Sequence, residues 1–166
     1  MDTVELQQPK AWIGIDQSYS GFGLAVLTEE GYHPELWKFP KTKKVSEGER
    51  LFQISVRLVT YLLTIAESYS IETVAMEGYA YGAKLNREKL GELGGIVKLG
   101  INIALNKDAI IIPPRSLKLF VTGNGNASKE DMIAAVQKKW SPEITDNNLA
   151  DALGLAFMAK DHTAQI

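Results

Sequence analysis

The sequence has no cysteine and only two histidines among its 166 residues. The absence of thiols excludes disulfide bonds, thiolate zinc sites and a cysteine nucleophile. No apolar run approaches the ~20 residues that a membrane-spanning helix needs. The polar, acidic segment Met1–Lys10 also lacks the charged-then-apolar layout of a signal peptide. We therefore expect a soluble protein of the cytoplasm, with no membrane partner.

An excess of positive charge is also lacking, since the net charge is -2. That value alone argues against nucleic-acid binding, but the charge is unevenly distributed. Ten Lys or Arg and five Asp or Glu lie between Lys84 and Lys139, which gives a local net charge of +5 and leaves -7 for the rest of the chain. Such asymmetry can mark a nucleic-acid-binding face on an acidic protein, although solvated helix lysines give the same pattern.

Length and composition are typical of one globular domain, with 45% hydrophobic and 23% charged residues. We expect a polar tail over residues 1–10 and a single domain over residues 11–166. Apolar runs bounded by turn residues predict three strands joined by short links, Ala11–Asp16, Phe22–Leu27 and Tyr32–Phe39. Such links favour an antiparallel meander.

Helical spacing of apolar residues alternates with two further strands in the second part of the chain. The strands are Thr73–Glu77 and Ala109–Ile112, and the predicted helices cover 46–68, 86–106, 116–120, a segment starting at Ser128, and 146–159. Capping signals stand at Ser46 with Glu49, at Ser128 with Asp131, and at Asp146. The order β-β-β-α-β-α-β-α-α-α predicts an α/β fold with a mixed five-stranded sheet flanked by helices.

Three acidic residues lie in apolar segments, where burying an unpaired carboxylate costs free energy. Asp16 and Glu77 each end an apolar strand, and Asp151 lies in a helix that is apolar on nearly every side. Each alone could be an exposed acid at the end of an element. Together they could meet at one point, where carboxylate oxygens would suit Mg²⁺ or Mn²⁺ and compensate an otherwise unfavourable buried charge.

Several segments, in this order, carry a resemblance to a known family. They are Ile13–Asp16 with Gly21 and Gly23, Val74–Glu77, Lys89–Gly94, Arg115–Lys118 through Val121–Gly125 to Lys129, and Ala150–Leu153. The chain resembles the RuvC family of Holliday-junction resolvases, especially the short versions carried by bacteriophages. The resemblance implies an RNase H-like fold, a homodimer, and paired symmetric cuts in four-way DNA that depend on Mg²⁺ or Mn²⁺.

The resemblance also assigns the metal site. The family's strand acids fall on Asp16 and Glu77, and its last helix acid falls on Asp151. A fourth acid is usual three residues earlier, where this chain has Asn148. An amide oxygen can ligate a metal, but it brings no charge and is no general base. Three interpretations follow: the chain cuts with three carboxylates, it binds junctions and cuts them poorly, or Asn148 is an engineered inactivating substitution.

Contacts to DNA follow from the same resemblance. Lys118 and Lys129 match family positions near the scissile phosphate, where a lysine would neutralise charge. Tyr79 and Tyr81 follow Glu77 in a loop that in the family carries an aromatic meeting bases at the junction centre. The predicted DNA-binding set also includes Lys84, Arg87 and Arg115. Ordinary solvated lysines and tyrosines folded onto the core are the alternatives.

Three other functions stay open at this point. An actin-like ATPase also begins with a strand, an Asp and a glycine hairpin, but it needs a second such lobe. A junction-binding relative with weak cleavage would fit Asn148. A nuclease of broader specificity would cut other branched DNA. For the resolvase itself, the resemblance implies hydrolysis to 5′-phosphate and 3′-hydroxyl ends without a covalent enzyme intermediate.

Overall fold

A mixed sheet forms the centre of the computed structural model, which describes residues 7–78 and 87–165. Strands β1 (Lys10–Asp16), β2 (Phe22–Thr28) and β3 (Tyr32–Trp37) form an antiparallel meander. Strands β4 (Ser70–Glu77) and β5 (Ile110–Ile112) add in parallel, giving the order β3-β2-β1-β4-β5. The predicted mixed five-stranded sheet is confirmed.

Helices flank both faces of this sheet, in the element order that the sequence predicts. They are α1 (Glu47–Ser68), α2 (Arg87–Leu105), α3 (Pro114–Thr122), α4 (Lys129–Lys139) and α5 (Asn147–Ala164). Over the ranges 7–78 and 87–165, no helix is long and apolar enough to cross a membrane.

The predicted helix starts are set by capping side chains. Ser46 accepts a hydrogen bond from the Glu49 amide at 3.1 Å, and Ser128 and Asp131 exchange the two bonds of a complete capping box. Asp146 accepts bonds from the amides of the second and third residues of α5. Asp146 therefore caps α5, as predicted. Its carboxylate binds the helix amides and does not replace the acid expected at position 148.

Two helix boundaries differ from the prediction. α3 begins at Pro114 instead of residue 116, because proline is well suited to the first helical position, where no amide bond is needed. α5 continues to Ala164 instead of ending at residue 159. Its last turn is held by Thr163, whose hydroxyl accepts a bond from Trp12 Nε1 at 3.1 Å and lies 2.8 Å from the hydroxyl of Thr73.

Alternate residues of β1 face two separate hydrophobic cores. Ile13 and Ile15 are fully buried in the core that includes α1 and α2. Trp12 belongs to the opposite core, which includes α3, α4 and α5. The period-2 alternation of strand side chains thus makes the sheet the middle layer of a three-layer fold.

α5 packs directly on the backbone of the sheet. A Cβ added at Gly14 would lie well under 3.0 Å from the Ala152 carbonyl oxygen and the Ala156 amide nitrogen. A Cβ at Gly23 would come equally close to the Asn148 carbonyl oxygen. Only glycine fits these strand positions, and the close approach carries the first turns of α5 to the edge where β1 ends.

We predict that Gly14→Ala destabilises the protein by about 3 kcal/mol or more, because α5 would have to move off the sheet. The control is Gly91→Ala, an exposed position inside α2 where a Cβ would meet nothing within 4 Å. That change should raise stability by about 0.5–1 kcal/mol through helix propensity. Chemical denaturation of both variants measures the difference, and a Gly14→Ala protein as stable as the wild type would contradict the packing described.

Candidate active site

Asp16 and Glu77 lie side by side where two parallel strands end. The β1–β4 pairing runs as far as Ile15 with Met76, so the two acids are the next residues along their strands. Asp16 is buried, with 6% of its surface exposed, and Glu77 is half-buried. A side-chain hydrogen bond joins the two carboxyl groups.

Burial and mutual repulsion hold a proton on this pair. Burial raises the pKa of Asp16 well above its usual value, and the negative charges of Glu77 and Asp151 raise it further. Burial also raises the pKa of Glu77, but the hydrogen bond from Asp16 and the Lys118 charge counteract part of that rise. The hydrogen bond between the two carboxyl groups needs one proton, and the raised pKa values of both acids favour keeping that proton on the pair.

Asp151, in the second turn of α5, is electrostatically part of the same site. Burial, followed by the charge of Glu77, raises its pKa to about 7. The charges of Lys118 and Lys129 oppose this rise. Asn147 Nδ2 also opposes it, donating to Asp151 Oδ2 at 3.3 Å. The structure thus brings together the three acids that the sequence singled out.

The chemistry of these donors fits a divalent cation. Three half-buried or buried carboxylates repel one another, and either protons or a cation can offset that repulsion. Hard carboxylate oxygens are the ligands that Mg²⁺ and Mn²⁺ prefer. In the described part of the chain, however, no three His, Cys, Asp or Glu side chains converge closely enough to hold an ion as they stand. Asp16 and Glu77 are joined by a hydrogen bond, and binding a cation would require the acid side chains to rearrange.

Asn148 lies against the β1–β2 hairpin beside the acids. A Cβ added at Gly21 would fall well under 3.0 Å from Asn148 Nδ2, so the amide occupies the space that this glycine leaves. Its side chain is half-buried, one helical turn before Asp151. The structure thus places an amide against the β1–β2 hairpin, at the helix position where a fourth carboxylate was expected.

The two predicted phosphate-binding lysines lie close enough to the acids for their charges to lower the pKa values of those acids. Lys118, half-buried on α3, acts on Glu77 and Asp151, and Lys129, the exposed first residue of α4, acts on Asp151. Arg115 is exposed at the start of α3 and lies against the loop after that helix, since a Cβ at Gly125 would be 2.7 Å from Arg115 Cγ. Tyr79, Tyr81 and Lys84 lie outside the described residues, as does the side chain of Arg87.

Gln17 is a buried site residue that the sequence reasoning missed. Its Nε2 donates to the Glu77 carbonyl oxygen at 2.7 Å and so extends the link between β1 and β4 beyond their last backbone pair. Its Oε1 is buried and has no hydrogen-bond partner within the residues described. The Gln17 side chain thereby couples the backbones that carry the two strand acids. The sequence signal was a polar residue directly after Asp16, which reads as the start of a turn.

Comparison with known proteins decides the family. The RuvC crossover junction endodeoxyribonuclease of Pelodictyon phaeoclathratiforme is 30% identical over 155 residues, covering 87% of this chain and 76% of that protein. This chain belongs to the RuvC family. The RuvC of Cytophaga hutchinsonii is 26% identical over 150 residues, covering 87% of this chain and 72% of the relative. A scan against models of protein families gives no match.

Solved RuvC structures agree with the fold. Thermus thermophilus RuvC in complex with Holliday junction substrate superposes with a TM-score of 0.69 at 26% identity, covering 95% of this chain and 98% of that one. The predicted RNase H-like architecture is therefore confirmed, and the actin-like ATPase alternative is excluded. A bacteriophage origin stays a prediction, since the relatives named here are bacterial.

We predict that the metal-free protein loses stability as pH rises. The folded protein holds the Asp151 proton more tightly than the unfolded chain, so this contribution is full below pH 3.8 and is lost as pH rises to about 7. Thermal unfolding in a chelator should show that Asp151→Asn removes a slope of roughly 1 kcal/mol per pH unit between these values. Asp161→Asn, an exposed change on the same helix, is the control. Identical slopes for the wild type and Asp151→Asn would contradict the burial of this acid.

Proposed function

We propose that this protein is a crossover junction endodeoxyribonuclease that resolves four-way DNA junctions by paired symmetric nicks. Membership of the RuvC family supports this function, and the Thermus relative was solved with a Holliday junction substrate. The observation that carries the proposal is the grouping of three buried or half-buried acids with two lysines at one edge of the sheet. This grouping suits hydrolysis of a charged phosphodiester.

In this proposal Asp16, Glu77 and Asp151 bind a divalent metal, Mg²⁺ or Mn²⁺, and Asn148 contributes an amide oxygen. The bound metal would supply Lewis-acid polarisation of the phosphate and a lowered pKa for an attacking water. Binding of a cation by these acids would require the proton held between Asp16 and Glu77 to leave for solvent. Deprotonation of this pair and of Asp151 is thus a condition for the active state.

Two lysines of the chain would act on the phosphate group that is cut. Lys118 and Lys129 are close enough to the acids to lower the pKa of Asp151, so a phosphate bound there would lie within their field. They would stabilise the charge that develops on the phosphate oxygens during cleavage. Tyr79, Tyr81, Lys84, Arg87 and Arg115 remain proposed DNA contacts on the strength of the family resemblance.

Asn148 favours a second candidate function, a junction-binding protein with weak cleavage. Replacing a carboxylate by an amide removes one negative charge from the ligand set and should weaken cation binding. A nuclease for other branched DNA is a third candidate. A nicking assay on a synthetic four-way junction, with Mg²⁺ and then Mn²⁺, separates the first two, and competition between junction, fork and linear duplex tests the third.

We predict that Asp16→Asn lowers the cleavage rate more than ~100-fold but leaves junction affinity within about threefold, since even outer-shell partners of metal ligands are worth about 10–100-fold. The matched control is Asp161→Asn, exposed in the last turns of α5. An Asn148→Asp variant in the same assay should cut faster at limiting metal. Retained cleavage by the Asp16→Asn protein would overturn the proposed site.

Paired nicks need two active sites, and we propose that the protein is a homodimer. Large apolar side chains are exposed on the outer surfaces of α1 and α2, which pack against each other on the sheet face opposite α5. They are Phe52, Val56 and Leu63 on α1, and Leu99 and Ile103 on α2, each 47–67% exposed. An exposed apolar patch of this kind supports an interface between identical faces of two copies of the chain.

We predict a hydrodynamic mass of twice the 18.3 kDa chain. The double change Phe52→Glu with Ile103→Glu should yield monomers, because it introduces repelling charges into the apolar face. Leu119→Glu, at a similarly exposed position on α3, is the control and should leave the mass unchanged. A monomeric wild type at micromolar concentration, or a dimer that survives the double change, would contradict this interface.

A further inference from the structure

The segment between β3 and α1 is strongly basic. Four of the seven residues from 38 to 44 are lysines, and no acid occurs between Glu35 and Glu47. All four lysines are exposed, and none has a carboxylate within 4.0 Å among the described residues. We call residues 38–44 the lysine segment. Its charge is therefore free to meet a polyanion.

The sheet register places the lysine segment at the edge that carries the acids. Asp16 pairs with Gly23, and Gly23 pairs with Leu36, so these residues form one row across three strands. With strands ~4.8 Å apart, Leu36 lies about 10 Å from Asp16, and Lys38, two residues further along, about 12 Å. β3 thus delivers the chain to the active edge just before the lysines begin.

The base of the lysine segment is fixed to the loop that follows Asp16. Phe39 is buried, and its amide donates to the Tyr19 carbonyl oxygen at 3.1 Å. The Phe39 carbonyl oxygen accepts bonds from Arg50 at 3.0 and 2.6 Å, and the Arg50 guanidinium lies 4.4 Å from the Tyr19 ring centre. The lysines therefore extend from an anchored point rather than from an unattached loop.

The acids are flanked by positive charge on two sides. Lys118 and Lys129 belong to α3 and α4, which follow β5, while the lysine segment follows β3 at the other end of the sheet. A DNA strand with its phosphate at the acids would extend toward one or both sets of lysines. Exposed lysines contact phosphates without reading base sequence, which suits an enzyme that recognises branched shape.

We propose that the lysine segment binds the phosphate backbone of a duplex arm of the junction, beginning about three to four base steps from the scissile phosphate. This starting point follows from the ~12 Å separation between Asp16 and Lys38, the first lysine of the segment, and a rise of 3.4 Å per base step. This inference rests on the proposed junction-cleaving function. It adds a binding surface that is separate from the acids and from the lysines beside them.

The test compares two triple variants with the same loss of charge. K41Q/K43Q/K44Q removes the three lysines that follow the buried Phe39. K10Q/K107Q/K160Q removes three lysines that lie away from the active edge. Lys10 begins β1, Lys107 precedes β5, and Lys160 lies late in α5. Junction affinity is measured between 50 and 300 mM salt for both proteins and for the wild type.

The K41Q/K43Q/K44Q protein should bind at least tenfold more weakly at 150 mM salt, and its plot of log affinity against log salt should be shallower by about 2–3, at 0.9 per lost contact. The control should change the slope by less than about 1. Single-turnover cleavage at saturating protein should match the wild type, because these lysines do not touch the reacting atoms. Equal slopes for the K41Q/K43Q/K44Q and wild-type proteins would overturn the inference.

A second measurement locates the contact on DNA. Uncharged methylphosphonates placed three to five nucleotides from the cut should weaken wild-type binding but should not weaken binding by K41Q/K43Q/K44Q further. Additive losses would overturn the assigned position. If the wild type binds and nicks junctions but the variant binds equally well, only the lysine-segment inference fails. If the wild type neither binds nor nicks them, the proposed function fails as well.

Discussion

The direct contact between the backbone of α5 and strands β1 and β2 is the constraint on which the site depends. Gly14 and Gly23 leave no side chain between helix and sheet. The backbone of α5 meets Gly14 at Ala152 and Ala156, and it meets Gly23 at Asn148. A larger residue at either glycine would lift the helix and carry Asp151 away from the strand acids. The glycines that look like simple turn or strand breakers in the sequence are thus part of the geometry of the proposed active site.

The same packing forces like charges together. Asp16 and Glu77 meet because two parallel strands end side by side, and α5 adds Asp151 over them. Hydrophobic packing of two cores holds this arrangement against the repulsion, which the metal-free protein relieves by retaining protons. At the proposed metal site, proton release would accompany cation binding, and a bound cation would restore the stability lost at high pH.

Local patterns predicted the element order and the three acids because both are written in short stretches of sequence. The strand periodicity ends at Asp16 and Glu77, and an apolar helix surrounds Asp151. Gln17 was missed since its contact joins residues 60 positions apart. The last turn of α5 was missed for a similar reason, because Thr163 is held there by partners from β1 and β4.

The positive charge of the proposed DNA-binding surface shows the same limit of local reasoning. Residues 84–139 form one region of positive net charge. The rest of the chain has a net charge of -7, and this sum hides the local cluster of four lysines between residues 38 and 44. An antiparallel meander returns the chain to the same sheet edge after every second strand. The segment after β3 must therefore emerge near the end of β1, where Asp16 lies. Charge that is unremarkable by sequence position becomes a candidate for substrate binding once the register of the sheet is known.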